Sequence, residues 1–134
     1  MNIKTVKLIN KFCVDIGEEN VMSIASDLIR GHTETIILAH LMLQDSYGYK
    51  INKAIQEKTN YAYELKEATL YSAFRRLEGG GFITSYWGNE VTGARRRYYK
   101  ITHLGRALFE QNTKDWQEAR GLIDKLIKVG DFNE

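Results

Sequence analysis

The stretch ATLYSAFRRLEGGGFITSYWGNEVTGARRRYYKI, residues 68–101, decides the fold. It opens in an amphipathic helix, predicted over residues 67–78, that ends at three consecutive glycines. Two strands rich in aromatic and β-branched residues follow at 82–87 and 96–101, and the loop between them closes on three arginines. A basic helix followed directly by a basic hairpin is typical of a winged helix-turn-helix. That layout suits a helix in the major groove of DNA and a hairpin on the flanking backbone.

The helix of this stretch has one apolar and one polar face. The apolar residues recur at helical spacing and are expected to be buried: Leu70, Ala73, Phe74 and Leu77. On the opposite face lie Thr69, Ser72 and Arg76. Tyr71 and Arg75 flank that face. The polar face is therefore the predicted base-reading surface, and Arg75 and Arg76 are the candidates to pair with guanine or a phosphate.

Positive charge is concentrated in this part of the chain. The whole sequence carries +2, whereas residues 66–100 hold seven basic and three acidic side chains, which leaves −2 for the remainder. Such a patch suits a polyanion, although an ordinary solvated surface would look the same. For Arg95, Arg96 and Arg97 we favour phosphate or minor-groove contact, because the sequence gives them no neutralising acidic neighbour. Successive strand residues point to opposite faces, so Arg96 and Arg97 should not contribute equally.

Helices surround the winged stretch. Apolar spacing predicts one over 33–43, with Thr33 as its N-cap, and a second over 48–58. Thr102 is expected to cap a last helix of about 25 residues. Tyr98 and Tyr99 are expected to pack in the sheet, because duplex DNA offers no unstacked base. The predicted organisation is a mainly α protein with a helical arm at 1–29, a winged helix-turn-helix domain at 30–101 and a C-terminal dimerisation helix at 102–134.

The last helix carries more apolar surface than a small domain can cover. Its stripe comprises Leu104, Leu108, Trp116, Ala119, Ile123 and Leu126. Leftover apolar surface usually binds a second copy of the chain, so these residues are the predicted dimer interface. By the residues alone, Trp116 fits a dimer core better than a platform for a ligand.

Several function classes find no support in the sequence. The three histidines are scattered without metal-ligand spacing, no acid–base pair or nucleophile motif is present, and no cofactor is expected. The chain is therefore not expected to be an enzyme. No apolar run approaches the roughly 20 residues of a membrane span. The single cysteine and the charged start of the chain favour a reducing compartment without a signal peptide, so the expected location is cytoplasmic.

Four ordered motifs resemble those of the PadR family of bacterial transcriptional regulators. They are LIRGHTETIILAHLML at 28–43, SYGYKINKAI at 46–55, ATLYSAFRRLEGGGFI at 68–83 and GARRRYYKITHLGRALF at 93–109. Together they cover the family's opening helix, second helix, recognition helix, and wing with the start of the dimer helix. Four motifs at family spacing are far more specific than any one of them, and the resemblance extends over about residues 28–127.

The resemblance implies a homodimeric winged-helix repressor whose two recognition helices read a palindromic operator in double-stranded DNA. The family's DNA-facing positions fall here on Tyr49, Thr69, Tyr71, Ser72, Arg75, Arg76, Gly93, Arg95, Arg96 and Arg97. We count Lys66 with them; it replaces the small hydroxyl residue that usually caps the recognition helix. Ser72 replaces the usual proline and adds a hydrogen-bonding group, so the sequence preference is expected to differ from that of other members.

Some family members bind flat aromatic compounds at the dimer interface, where a tryptophan of the last helix stacks on them. Trp116 stands at that position, so the resemblance leaves two roles open for it, a platform for a small aromatic effector or a plain dimer core. Another function also stays open, namely a winged helix used for protein–protein contact without DNA. A steep loss of DNA affinity with added salt would argue against it.

Overall fold

The computed structural model of the chain describes residues 26–89 and 95–130. Its elements are α1 (Thr33–Leu43), α2 (Gly48–Lys58), α3 (Glu67–Gly79), β1 (Ile83–Trp87), β2 (Arg97–Ile101) and α4 (His103–Ile127). Three helices, a two-stranded antiparallel wing and a long last helix confirm the predicted mainly α, winged helix-turn-helix class. Each strand begins one residue later than predicted. Most of the predicted arm, and Gly93 in the wing loop, lie outside the described residues.

The chain divides into two compact units, Met1–Thr33 and Glu34–Glu134. In the described part of the first unit, residues 26–30 are helical and Thr33 Oγ1 donates a hydrogen bond to the carbonyl of Arg30 at 2.7 Å. The prediction that Thr33 caps α1 is therefore wrong. Thr33 is the first helical residue, and its hydroxyl donates to the preceding turn instead of accepting from an N–H of α1.

The core of the second unit forms around the apolar stripe of α3. All four predicted stripe residues are buried, and Phe74 is only 1% exposed. Its ring stacks on that of Tyr99 in β2, with centroids 3.9 Å apart and planes 11° from parallel. Tyr99 is itself buried, which confirms that it packs in the sheet. The stacked pair fixes α3 against the wing.

A left-handed glycine ends α3 and starts the wing. Gly81 has φ +77°, a conformation that only glycine adopts without strain. The N–H of Gly81 donates to the carbonyl of Glu78 at 3.0 Å, and the N–H of Phe82 donates to that of Leu77 at 2.9 Å. This bond pair is a Schellman motif, so the run of three glycines acts as the helix stop that the sequence predicts.

The wing is tied to the turn between α1 and α2. In the antiparallel pair, Ser85 of β1 lies opposite Tyr99 of β2. On the other side of β2, Ser46 bridges to Tyr99 through two backbone hydrogen bonds of 3.2 and 2.8 Å. The sheet thereby connects both ends of the helix-turn-helix to the base of the wing.

The first turns of α4 are fastened to the winged domain. Thr102 Oγ1 accepts from the N–H of Gly105 at 3.1 Å, which confirms the predicted cap, and the same hydroxyl donates to the carbonyl of Gly81 at 2.7 Å. A side chain at Gly105 would collide with the carbonyl oxygen of Phe82, so α4 can approach this closely only through glycine. Further along, Asn112 Nδ2 donates to Thr35 Oγ1 in α1 at 3.0 Å.

Candidate nucleic-acid interface

The position of α3 depends on a clamp that the sequence analysis did not find. Asn52 of α2 donates through Nδ2 to the carbonyl of Leu65 at 2.8 Å and accepts from the N–H of Leu65 at 2.9 Å. These reciprocal bonds fix the residue that precedes the N-cap of α3. A polar side chain beside Ile51 and Ile55, on the buried side of α2, was the only sequence signal for this role.

The turn between α2 and Leu65 contains two residues with positive φ, neither of which is glycine. Asn60 and Tyr61 both have positive φ, 52° and 64°. Asparagine tolerates the left-handed region, whereas a bulky aromatic residue rarely adopts it. Thr59 stabilises the turn, since its hydroxyl donates to the carbonyl of Ile55 at 2.8 Å and accepts from the N–H of Tyr63 at 3.2 Å.

The outward face of α3 presents hydroxyl and basic side chains. Arg75 and Arg76 are exposed, whereas Thr69 and Ser72 are half-buried. Lys66 is the N-cap residue of α3, is exposed and makes no side-chain capping bond, as expected for a residue without an acceptor. This face lies opposite the buried stripe, as the helical spacing predicts.

Arg76 has partners within the chain. Its Nε donates to Glu34 Oε1 of α1 at 2.7 Å, and its Nη1 donates to Ser72 Oγ at 2.9 Å. The Arg76 side chain is 56% exposed and that of Glu34 is 36% exposed. Sequence reasoning placed Arg76 on the outward face but did not identify Glu34, which lies 42 positions away in the chain.

Two tyrosines lie near the N-terminus of α2. Tyr71 of α3 packs edge-on against Phe74, with ring centroids 5.8 Å apart. A Cβ at Gly48 would stand 3.1 Å from the Tyr71 hydroxyl oxygen, so that hydroxyl lies beside the first turn of α2. Tyr49, in the same turn, is 69% exposed. Hydroxyl donors beside a helix N-terminus suit a phosphate oxygen.

The three wing arginines have three different environments. The guanidinium carbon of Arg95 lies 5.7 Å from the ring centroid of Trp87. That of Arg96 lies 4.6 Å from the ring centroid of Tyr47, and Arg96 Nη1 donates to the Tyr47 hydroxyl at 2.8 Å. Both guanidinium groups are held by cation–π contacts while their side chains stay exposed.

Arg97 differs, because it has an acidic partner. Its Nη2 donates to Glu78 Oε1 at 3.1 Å and to Ser85 Oγ at 2.9 Å, and Ser85 donates to the same carboxylate. The expectation that no acid neutralises the wing arginines is therefore wrong for Arg97. Glu78 lies at the end of α3, 19 positions away, and comes near only because the wing folds back on that helix.

Asp45 holds a further part of the wing through Tyr86 of β1. The Tyr86 hydroxyl donates to Asp45 Oδ2 at 2.7 Å, and this bond is the main reason that the pKa of Tyr86 is raised. Burial raises the pKa of Tyr99 in β2. Both hydroxyls are therefore neutral at ordinary pH.

The predicted dimer residues lie along α4. Leu108 is half-buried, whereas Leu104 and Trp116 remain exposed. Beyond Trp116 the helix is exposed throughout, including the remaining predicted interface residues Ala119, Ile123 and Leu126.

Other kinds of site find no basis in the described residues. Within 26–89 and 95–130, no group of three His, Cys, Asp or Glu side chains could hold a metal ion. Over the same ranges, no helix combines the length and the apolarity needed to cross a membrane.

The fold and its basic surface define a winged-helix protein of the kind that binds DNA. A sequence profile of the transcriptional regulator PadR-like family matches residues 37–111, more than half of the chain. An uncharacterized protein of Lysinibacillus sphaericus is 44% identical over 105 residues, which cover 78% of this chain and 96% of that protein. The chain belongs to the PadR-like family of transcriptional regulators, which is not a family of enzymes.

Solved structures support the same assignment. A transcriptional regulator from Clostridium thermocellum is 48% identical and superposes with a TM-score of 0.71, over 77% of this chain and 100% of that one. A PadR family transcription regulator from Clostridium difficile R20291 is 32% identical, with a TM-score of 0.62, over 72% of this chain and 99% of that one. The resemblance noted in the four motifs is thereby confirmed.

Proposed function

We propose that the protein represses transcription as a homodimer that binds a palindromic operator in double-stranded DNA. In each copy α3 enters the major groove and the wing lies on the flanking backbone. The observation that carries this proposal is the division of α3 into two faces. Its apolar stripe is fully used in the core, and its opposite face presents Arg75 and Arg76 beside hydroxyl groups. This combination suits base edges and phosphates in a groove.

The wing supports the proposal through charge and orientation. Arg95 and Arg96 are exposed and oriented by aromatic rings, so they can contact phosphates without first being ordered. Arg97 contributes less, because Glu78 neutralises part of its charge. The tyrosine hydroxyls near the start of α2 provide further phosphate donors.

The second half of α4 supports the dimer. Its apolar side chains are exposed in a single copy, and a second copy related by a two-fold axis would cover them. Such an axis would place the two copies of α3 about 34 Å apart, one turn of DNA, which is the spacing that palindromic half-sites require.

Salt dependence of duplex binding tests the DNA-binding function. Each phosphate contact releases a counterion and contributes about −0.9 to the slope of log affinity against log salt. Arg95→Ala combined with Arg97→Ala should flatten that slope by about one unit, chiefly through Arg95, because Glu78 already neutralises part of the Arg97 charge. A winged helix that serves only protein–protein contact would show no steep salt-dependent affinity for duplex DNA.

We further propose that a flat aromatic effector releases the operator by binding at Trp116. This side chain lies near the middle of α4 and is partly exposed in a single copy. Two copies across the axis would form an apolar slot, and stacking there adds about 0.5–1.5 kcal/mol per ring pair. Such a compound should quench tryptophan fluorescence and weaken operator binding. Quenching that survives in Trp116→Phe but vanishes in Trp87→Phe would contradict this site.

A further inference from the structure

The two neighbouring arginines of α3 differ in how they are held. Arg76 is bonded at two points, by the Glu34 carboxylate at Nε and by the Ser72 hydroxyl at Nη1. Within residues 26–89 and 95–130, Arg75 makes no ion pair. One arginine of the reading face is therefore fixed in direction, and the other keeps its rotamer freedom.

The fixed guanidinium keeps donors available. A guanidinium carries five N–H groups in a rigid plane, and the bonds to Glu34 and Ser72 occupy two of them. Bonds at two different nitrogens restrict how the remaining donors can point. A planar fork whose direction is set in advance loses less conformational freedom on binding, and it suits the O6 and N7 acceptors of guanine.

The ion pair is poorly suited to a purely stabilising role. Both side chains are substantially exposed, and exposed pairs of this kind contribute little to folding stability. It also lowers the value of Arg76 as a phosphate anchor, because Glu34 already compensates its charge. Geometry and charge together favour a directional contact over a nonspecific one.

We propose that Glu34 is a positioning residue for base recognition. It does not itself reach DNA, but it orients Arg76 so that the guanidinium reads one guanine in each half-site. This inference rests on the proposed DNA-binding function and adds that residues of α1 influence which sequence is bound.

The test compares variants on the preferred duplex and on a set of duplexes with single base-pair changes. Arg76→Ala identifies the base pair that this residue reads, where a bidentate contact provides about 5- to 150-fold discrimination. Glu34→Gln removes the charge of the partner while keeping its shape. It should reduce discrimination at that same base pair several-fold and leave the other positions unchanged.

Two controls separate orientation from stability and from general charge. Glu57→Gln removes one carboxylate from an exposed position of α2 and should leave discrimination at every base pair unchanged. In the double variant Glu34→Gln with Arg76→Ala, discrimination should equal that of Arg76→Ala alone, because the two residues act through one contact. Thermal unfolding of every variant is recorded alongside.

The outcomes are distinguishable. If Glu34→Gln lowers the affinity for all duplexes by the same factor and keeps the base preference of the wild type, the positioning role is overturned and the DNA-binding function remains intact. A wild-type protein that prefers no duplex sequence overturns the proposed function and this inference with it.

Discussion

The amphipathic helices α3 and α4 differ in how far their apolar stripes are buried. In α3 every stripe residue is buried, and Phe74 is 1% exposed. In the second half of α4 the stripe side chains stay exposed, with Ile123 at 50% and Leu126 at 82% exposure. Both stripes follow the same helical spacing. The spacing predicts that a face will be covered, but not whether the cover comes from the same chain or from another molecule.

The difference has a functional consequence. Because the core buries one side of α3 completely, the opposite side is free to contact DNA in the proposed complex. The start of α4 is fastened by Thr102, Gly105 and Asn112, so contacts made by its far half would be transmitted to the winged domain through a helix held at one end. A dimer built on that far half would therefore fix the distance between the two copies of α3.

The largest expected effect lies in the covered stripe. Phe74→Ala should lower the free energy of unfolding by about 3–5 kcal/mol, because it leaves a cavity against Tyr99. Chemical denaturation at several protein concentrations measures this loss. Leu126→Ala is the comparable change in the exposed stripe of α4. Its smaller effect should vary with protein concentration, because in the proposed dimer a second copy covers this stripe. Equal losses at every concentration would remove the distinction between the two helices.

The next effect concerns association. Ile123→Asp combined with Leu126→Asp places two charges in the open stripe and should convert a dimer into a monomer of 15.5 kDa. Sedimentation measures the mass, and operator affinity should fall with it.

A matched control keeps the added charge but moves it. Gln117→Asp with Gly121→Asp places the same two carboxylates on the opposite side of α4, where nothing lies within 4 Å of a Cβ at Gly121. This variant should remain a dimer. A dimer that persists in the Ile123 and Leu126 variant would put the interface elsewhere in the chain.

The smallest expected effect is a loss of folding stability at alkaline pH, which we attribute to Tyr99, the residue that packs on α3. Burial raises the pKa of Tyr99 in the folded state above its ordinary value near 10. The neutral form is therefore favoured by folding, and its contribution to stability is fully present below pH 10 and is lost as pH rises through the folded-state pKa.

Tyr99→Phe keeps the ring that stacks on Phe74 and removes the titrating hydroxyl. The alkaline loss of stability should shrink in this variant, as measured by unfolding at pH 9 to about pH 11. Tyr86→Phe is the comparison, because the Tyr86 pKa is raised mainly by its hydrogen bond to Asp45. If the Tyr99→Phe protein loses as much stability as the wild type over this range, Tyr99 is not the group responsible.

Local patterns in the sequence predicted much of the fold. The apolar spacing of α3, the stop at Gly79–Gly81 and the Thr102 cap each depend on residues close in the chain, and the structure confirms all three. The predicted cap at Thr33 was wrong, because a hydroxyl at the start of a helix can donate to the preceding turn as readily as it can accept from the helix.

The candidate interface was harder to predict from the sequence, because its side chains are held by partners that are distant in the chain. Glu34 reaches Arg76, and Glu78 reaches Arg97, only once the helices and the wing have packed. The Asn52 clamp joins residues 13 positions apart by backbone groups that a side-chain pattern does not reveal. Sequence spacing could therefore name the outward-facing residues but not the partners that set their direction or charge.

The central claim is that two copies of this chain read a palindromic sequence through α3. Selection of bound duplexes from a random pool by the chain of 134 residues tests it most directly. We expect enrichment of an inverted repeat whose half-site centres lie about 10 base pairs apart. Each half-site should contain a guanine whose enrichment is lost in Arg76→Ala. Recovery of duplexes without a common sequence, or of a single half-site without its inverted copy, would contradict it.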